Sequence, residues 1–207
     1  MKKYILILLS FYSPFIFSQK IESHRLTKQE IHERELENVT DFPIYRAFEF
    51  QDKGGVYELV LGENQKTISK KDTLNTKIQA ICVVNDHGGF LEKWRINDFL
   101  EDYVPKETNI WFWTKYCSAK DIDGDGYIDP VIVYGTRTEY NEIRRVKIIT
   151  VYKNKKYAIR AVECDLDHCR SFKKDQNWNT LPQKIKTYTN QLTEKMRKEQ
   201  DLLLKNG

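Results

Sequence analysis

The chain has 207 residues, 31% of them charged, and 34 Lys and Arg against 30 Asp and Glu leave a formal charge of +4. Basic side chains are scattered among acidic ones rather than gathered into a stripe, which excludes the electrostatic footprint of a nucleic-acid binder. The length suits one hydrophobic core and falls short of what two independent domains need.

Lys2 and Lys3 precede a run from Tyr4 to Phe17 that is almost wholly apolar and closes on Ser18-Gln19. A positive head, an apolar stretch and a small residue before the cut are the parts of a secretory signal peptide. Residues 1–18 are therefore expected to form that peptide, with cleavage after Ser18. A membrane anchor needs about 20 apolar residues, and Ser10, Ser13 and Pro14 interrupt this run. The expectation is an exported chain, periplasmic or at the cell surface, with no membrane span after cleavage. The first cysteine is Cys82, too far from the cut for a lipid anchor.

Residues 19–43 are charged, with Ile21, Ile31 and Leu36 too sparse to define a helix face, and read as an N-terminal arm, either helical or mobile. From Ile44 the pattern changes to aromatic and β-branched runs. Ile44 to Gln51 and Val56 to Gly62 flank Asp52-Lys53-Gly54-Gly55, a hairpin signature because glycine accepts the positive φ of tight turns. Glu63 to Thr76 is polar and reads as a loop. Ile78 to Val84 and Phe90 to Ile96 form a second hairpin around Asn85-Asp86-His87-Gly88-Gly89, with His87 as a turn residue. Asn109 to Ala119 and Pro130 to Gly135 form a third pair. Val146 to Lys153 and Lys156 to Glu163 form a fourth around Asn154-Lys155.

Successive short strands without helices between them predict an antiparallel meander rather than βαβ units. Beyond it, Thr180 is placed to cap a helix beginning near Pro182, a residue tolerated in the first turn. Ile185, Tyr188, Leu192 and Met196 recur at helical spacing and give that helix one apolar face, to pack on the sheet or bind a partner. The last residues, with Leu202 to Leu204 in a row, read as a frayed end. The fold class expected is β-rich α+β, with a C-terminal amphipathic helix and a single domain over residues 44–207.

Between the third pair of strands lies Asp121-Ile122-Asp123-Gly124-Asp125-Gly126-Tyr127-Ile128-Asp129. Calcium takes six to eight oxygens, so its sites need several carboxylates brought together by a tight turn. Asp121, Asp123 and Asp125 fall at positions one, three and five. Gly126 takes the turn at six, Tyr127 offers its carbonyl at seven, and Asp129 sits at nine. So many carboxylates within nine residues repel one another unless a cation offsets them. Position twelve is Ile132 rather than the bidentate Glu of a helix-loop-helix calcium hand, and a strand follows. The loop resembles the strand-flanked calcium loops of integrin-type propeller repeats, present here in one copy. A structural Ca2+ is the cofactor expected, held by Asp121, Asp123, Asp125, Tyr127 and Asp129.

Four cysteines in an exported chain admit disulfides. Cys164 and Cys169 flank the turn-like Asp165-Leu166-Asp167-His168, which a bridge could close; four free thiols are the alternative. Zinc is not expected, because the C-x2-C spacing is absent and His168 beside Cys169 has no matching second pair. Ile110-Trp111-Phe112-Trp113 reads as a strand buried on both faces, with tryptophans stacked on sugar rings as the sharper alternative. No nucleophile with its base, phosphate loop or metal-hydrolase His pair has the spacing that catalysis demands.

Lys77-Ile78-Gln79-Ala80, Asn85 to Gly89, Ile110 to Tyr116 and Asp121 through Thr136, in this order, resemble a family of exported bacterial proteins labelled surface polysaccharide biosynthesis proteins. The likeness spans roughly Lys77 to Arg160. It implies a role in envelope or surface polysaccharide, with carbohydrate or an envelope protein as partner, and it brings no catalytic residues. The function expected is a calcium-binding accessory or binding protein; a hydrolase or transferase acting on envelope glycans is the alternative.

Overall fold

The computed structural model describes residues 23–67 and 73–206, and the signal-peptide expectation for residues 1–18 lies outside the described residues. In chain order the strands are β1 (His24–Arg25), β2 (Ile44–Asp52), β3 (Gly55–Glu63), β4 (Lys66–Thr67), β5 (Thr73–Leu74), β6 (Lys77–Asp86) and β7 (Gly89–Phe99). They continue with β8 (Glu107–Phe112), β9 (Ser118–Lys120), β10 (Asp129–Thr138), β11 (Ile143–Tyr152), β12 (Lys155–Val162) and β13 (Ser171–Lys174). Helix α1 (Lys28–Glu33) precedes β2, and helix α2 (Gln183–Gln200) closes the chain. The protein is β-rich, built of antiparallel hairpins with one C-terminal helix, as its hydrophobic alternation predicts.

The hairpins divide into two antiparallel sheets. Sheet one has the order β1-β2-β3-β6-β7, and sheet two the order β13-β12-β11-β10-β8, with β9 also pairing β10. They pack face to face: Leu59, Leu61, Ile78 and Trp94 of sheet one share a core with Ile110, Phe112, Ile132 and Tyr134 of sheet two. The other face of sheet two is also covered. Val131, Val133, Ile148 and Ile159 pack under Ile185, Leu192 and Met196 of α2. With both faces buried, β10 can carry the unbroken apolar run Val131 to Tyr134 where a half-wet strand would alternate. At about 25 cal/mol per Å2 of buried apolar surface, these two layers dominate the favourable side of folding.

The N-terminal arm forms a partial third cover. Its helix α1 is fixed by a capping box, in which the Glu30 amide donates to the Thr27 hydroxyl and the Thr27 amide to the Glu30 carboxylate at 2.7 Å. Leu26 and Leu36 then bury against Ala47 and Val60 on the outer face of sheet one. Arg34 ties the arm down through Glu49 and Glu58.

Several local expectations are corrected. Asn109 to Ala119 is not one strand: a turn at Thr114–Tyr116 splits it into β8 and β9, which pair with opposite ends of β10. The detour carries Trp113 and Tyr116 into the layer beneath α2. The fourth hairpin turns at Lys153-Asn154, one residue earlier than the polar break suggests, and both residues adopt positive φ (49° and 60°), as a two-residue type I′ turn requires. Thr180 does not cap α2. Its hydroxyl donates to Asn177 O and ends a 3-10 turn, while Pro182 stands at the helix start. Leu202 and Leu204 are buried rather than frayed, because the Leu203 and Leu204 amides donate to the Glu163 carboxylate at 2.9 and 2.7 Å.

The polar stretch after β3 contains the small β4–β5 ribbon and a buried polar cluster. Phe112 N and Asn75 Nδ2 donate to the two oxygens of Glu63. Burial pushes the Glu63 carboxyl up from its ordinary value, and these donors oppose the rise. Cys164 and Cys169 are bridged, with their Cα atoms 5.8 Å apart. Cys82 and Cys117 are free thiols that burial pushes up to about 12. Among the described residues, no helix is long and apolar enough to cross a membrane.

Candidate metal centre

The acidic loop joins β9 to β10 at one end of the sandwich. Its backbone is folded by its own carboxylates: the Gly124 and Gly126 amides donate to the two oxygens of Asp121 at 2.7 and 2.9 Å, and the Asp125 amide donates to Asp123 at 3.0 Å. Such side-chain-to-amide bonds are the common way Asp stabilises turns. Gly124 and Gly126 lie at φ 85° and 90°, a region where a side chain would be strained.

This folding brings Asp121, Asp123 and Asp129 together, one oxygen of each lying within 4.8 Å of the others. Oxygens that share one calcium ion, each bonded at about 2.3–2.6 Å, must lie within about 5 Å of one another, and these three meet that requirement. The donors are all hard oxygens, which match calcium rather than zinc. Asp129 is 1% exposed, and its Oδ2 accepts the Ile122 amide at 3.0 Å. Burial, with the charges of Asp123 and Asp125 behind it, pushes the Asp129 carboxyl up to about 7.

Asp125 stands apart from the three. It accepts the Tyr127 amide at 2.9 Å, and its other oxygen lies 3.7 Å from Lys153 Nζ. Lys184 of α2 donates to Asp123 O, and Lys53 donates to Asp125 O at 2.6 Å. Three lysines from distant parts of the chain, Lys53, Lys153 and Lys184, therefore contact the loop at Asp123 and Asp125, and none of them is paired with the carboxylates of Asp121, Asp123 or Asp129. The Tyr127 side chain is 44% exposed and points to a neighbouring cleft rather than a packed interior.

Asp52 is the loop partner that sequence spacing does not show. At the end of β2, its Oδ1 accepts the Gly54 amide at 2.6 Å and its Oδ2 accepts the Ile128 amide at 3.0 Å. The Lys53 amide adds a bond to Gly126 O at 3.1 Å. In the sequence Asp52 and Lys53 look only like hairpin-turn residues.

Trp111 near the end of β8 and Trp113 just beyond it both pack in the layer beneath α2. Trp113 is buried, and Trp111 is half-buried with the Arg137 guanidinium 4.7 Å from its ring centre. Outside the loop, Asp98 and Asp175 line one shallow cleft. Asp98 is ion-paired to Lys147 at 2.6 Å and Asp175 to Arg160. His87 lies in the exposed β6–β7 turn, where its φ of 52° suits a type I′ hairpin. No family model, curated protein or solved structure matches this chain.

Proposed function

We propose that the chain is an exported, calcium-stapled β-sandwich that acts as a non-enzymatic accessory or binding factor for envelope or surface polysaccharide. The observation that carries the calcium half is the convergence of Asp121, Asp123 and Asp129 within 4.8 Å. Crowded carboxylates in a partly buried loop are unstable as anions without a cation, and an all-oxygen set of this span selects a hard one. Calcium bound there supplies charge neutralisation and a rigid link between β9 and β10. The Cys164–Cys169 bridge supports a periplasmic or surface location, since such bonds persist in oxidising compartments. The polysaccharide half is supported by the likeness over Lys77 to Arg160.

Thermal melting of the protein in calcium and in chelator tests the calcium half. A ligand that binds only the folded state adds about 2.7 kcal/mol at a hundredfold excess over Kd, so calcium should raise the melting temperature. The variant Asp123→Asn keeps the one oxygen that accepts the Asp125 amide and removes a charge from the converging set, and it should shrink the rise. An unchanged melting temperature with and without millimolar calcium would overturn the calcium reading. Surface polysaccharide that is unaltered in a deletion strain would overturn the other half.

A further inference from the structure

Beside the acidic loop, a cleft of about 370 Å3 opens between the two sheets. Trp94 is its buried floor. Its mouth is formed by Asp52 and Tyr57 of the first hairpin, Tyr127 of the acidic loop, and Lys153 and Asn154 of the β11–β12 turn. These side chains come from both sheets, and only the packing of the sandwich brings them together.

We infer that this cleft binds one uncharged pyranose ring of a glycan, an inference that rests on reading the chain as a polysaccharide-binding factor and names its site. The volume lies at the small end of ligand sites, enough for a single sugar ring with its substituents. The mouth sets one carboxylate, Asp52, against one ammonium, Lys153, whose charge is already offset by Asp125 Oδ2 at 3.7 Å. An anion or a cation entering it meets a like charge on one side, whereas sugar hydroxyls both donate and accept and so satisfy either group. Asn154 and the phenols of Tyr57 and Tyr127 add further groups that do both.

The rings supply the other half of the recognition. Tyr57 stacks on Phe50 at 5.2 Å, which fixes its plane. Tyr127 is held by the loop yet 44% exposed, so it presents an aromatic face to water beside hydrogen-bonding groups. A pyranose has an apolar C–H face and a polar rim, the same division as this lining. Lys153 and Asn154 occupy left-handed backbone positions at the rim, held there by the hairpin turn, so both are placed before any ligand arrives.

The test titrates the calcium-loaded protein with the methyl glycosides of glucose, galactose, mannose and N-acetylglucosamine, with glucuronate as the charged comparison. Binding is read by saturation-transfer NMR and calorimetry. At least one neutral glycoside should bind, with affinity falling about tenfold in Tyr127→Ala, the scale of one lost aromatic contact. Asn154→Gly, which keeps the positive φ, should also weaken binding. Tyr140→Ala, which removes a 70% exposed aromatic outside the cleft, should leave binding intact. Binding that survives both cleft variants would put the sugar elsewhere and overturn the cleft alone. Preference for glucuronate would overturn the uncharged ligand. If no neutral glycoside binds while calcium still raises the melting temperature, the cleft inference fails and the calcium reading stands.

Discussion

The carboxylate of Asp52, at the end of β2, accepts the backbone amide of Ile128, 76 positions further along the chain, at 3.0 Å. With its other oxygen it holds the Gly54 amide, so one side chain closes a hairpin of sheet one and fastens it to the acidic loop of sheet two. Asp52→Ala should therefore destabilise the protein by about 1–3 kcal/mol, the cost of leaving such a group unpaired. Asp52→Asn should cost less, since its single carbonyl oxygen can still serve one of the two amides. Urea denaturation gives the stability, and faster hydrogen exchange at the Ile128 amide locates the loss.

The loop aspartates should not contribute equally to calcium affinity. Asp129 belongs to the converging set, whereas Asp125 lies beside Lys153 and outside it. Asp129→Asn should weaken calcium binding more than Asp125→Asn does. Calorimetric titration of the two variants checks the order, and a larger loss in Asp125→Asn would show that the loop rearranges when the ion binds. Magnesium should substitute poorly, because it demands a tighter octahedral shell and sheds water reluctantly.

Acid sensitivity should come in part from Asp98. Burial alone would raise its carboxyl, but Lys147 at 2.6 Å, the Tyr134 hydroxyl and the Phe99 amide override burial and hold it below the ordinary aspartate value. Arg145 lies 3.6 Å away on the same side. A depressed folded-state pKa gives stability that is present above the unfolded value, about 3.9, and lost as pH falls through the folded one. Asp98→Asn should lower stability at neutral pH by about 1.5–3 kcal/mol and flatten this part of the acid limb. Stability curves of the two proteins should then converge once the pH falls below the depressed folded-state pKa of Asp98.

Reduction should have a modest effect. Cys164 and Cys169 are five positions apart, and closing so short a loop stabilises by about 2 kcal/mol in the chain-entropy account. A reductant, or Cys164→Ser with Cys169→Ser, should lower the melting temperature without unfolding the protein at room temperature. Thiol counting before and after reduction of denatured protein should show two additional thiols. Four thiols before reduction would mean that the bridge is absent.

Under α2, Ile185 is fully buried against sheet two, and Ile185→Ala should cost about 2–5 kcal/mol through lost burial and the cavity left behind. Tyr188 is only half-buried on the same helix. Its replacement by Ala should cost less, and paired denaturation curves give the comparison.

Most of the long strands, the first two hairpin turns, the buried face of α2 and the acidic turn were legible in the sequence because each depends on residues a few positions apart. The short strands β1, β4, β5 and β13 carry too few residues to show a pattern. Alternation marks a strand, Ile185, Leu192 and Met196 mark a helix face, and the Asp and Gly spacing of residues 121–129 marks a loop that its own carboxylates fold. The rest depended on side chains that meet only when two sheets pack. Tertiary structure alone decided that Asp52 and Lys53 reach the acidic loop, and that Asp125 stands apart beside Lys153. It also split β8 from β9 and drew Leu202 and Leu204 into the core through Glu163. No local pattern encodes such pairings: the strands have similar apolar faces, and which faces meet is settled by the packing of the whole chain.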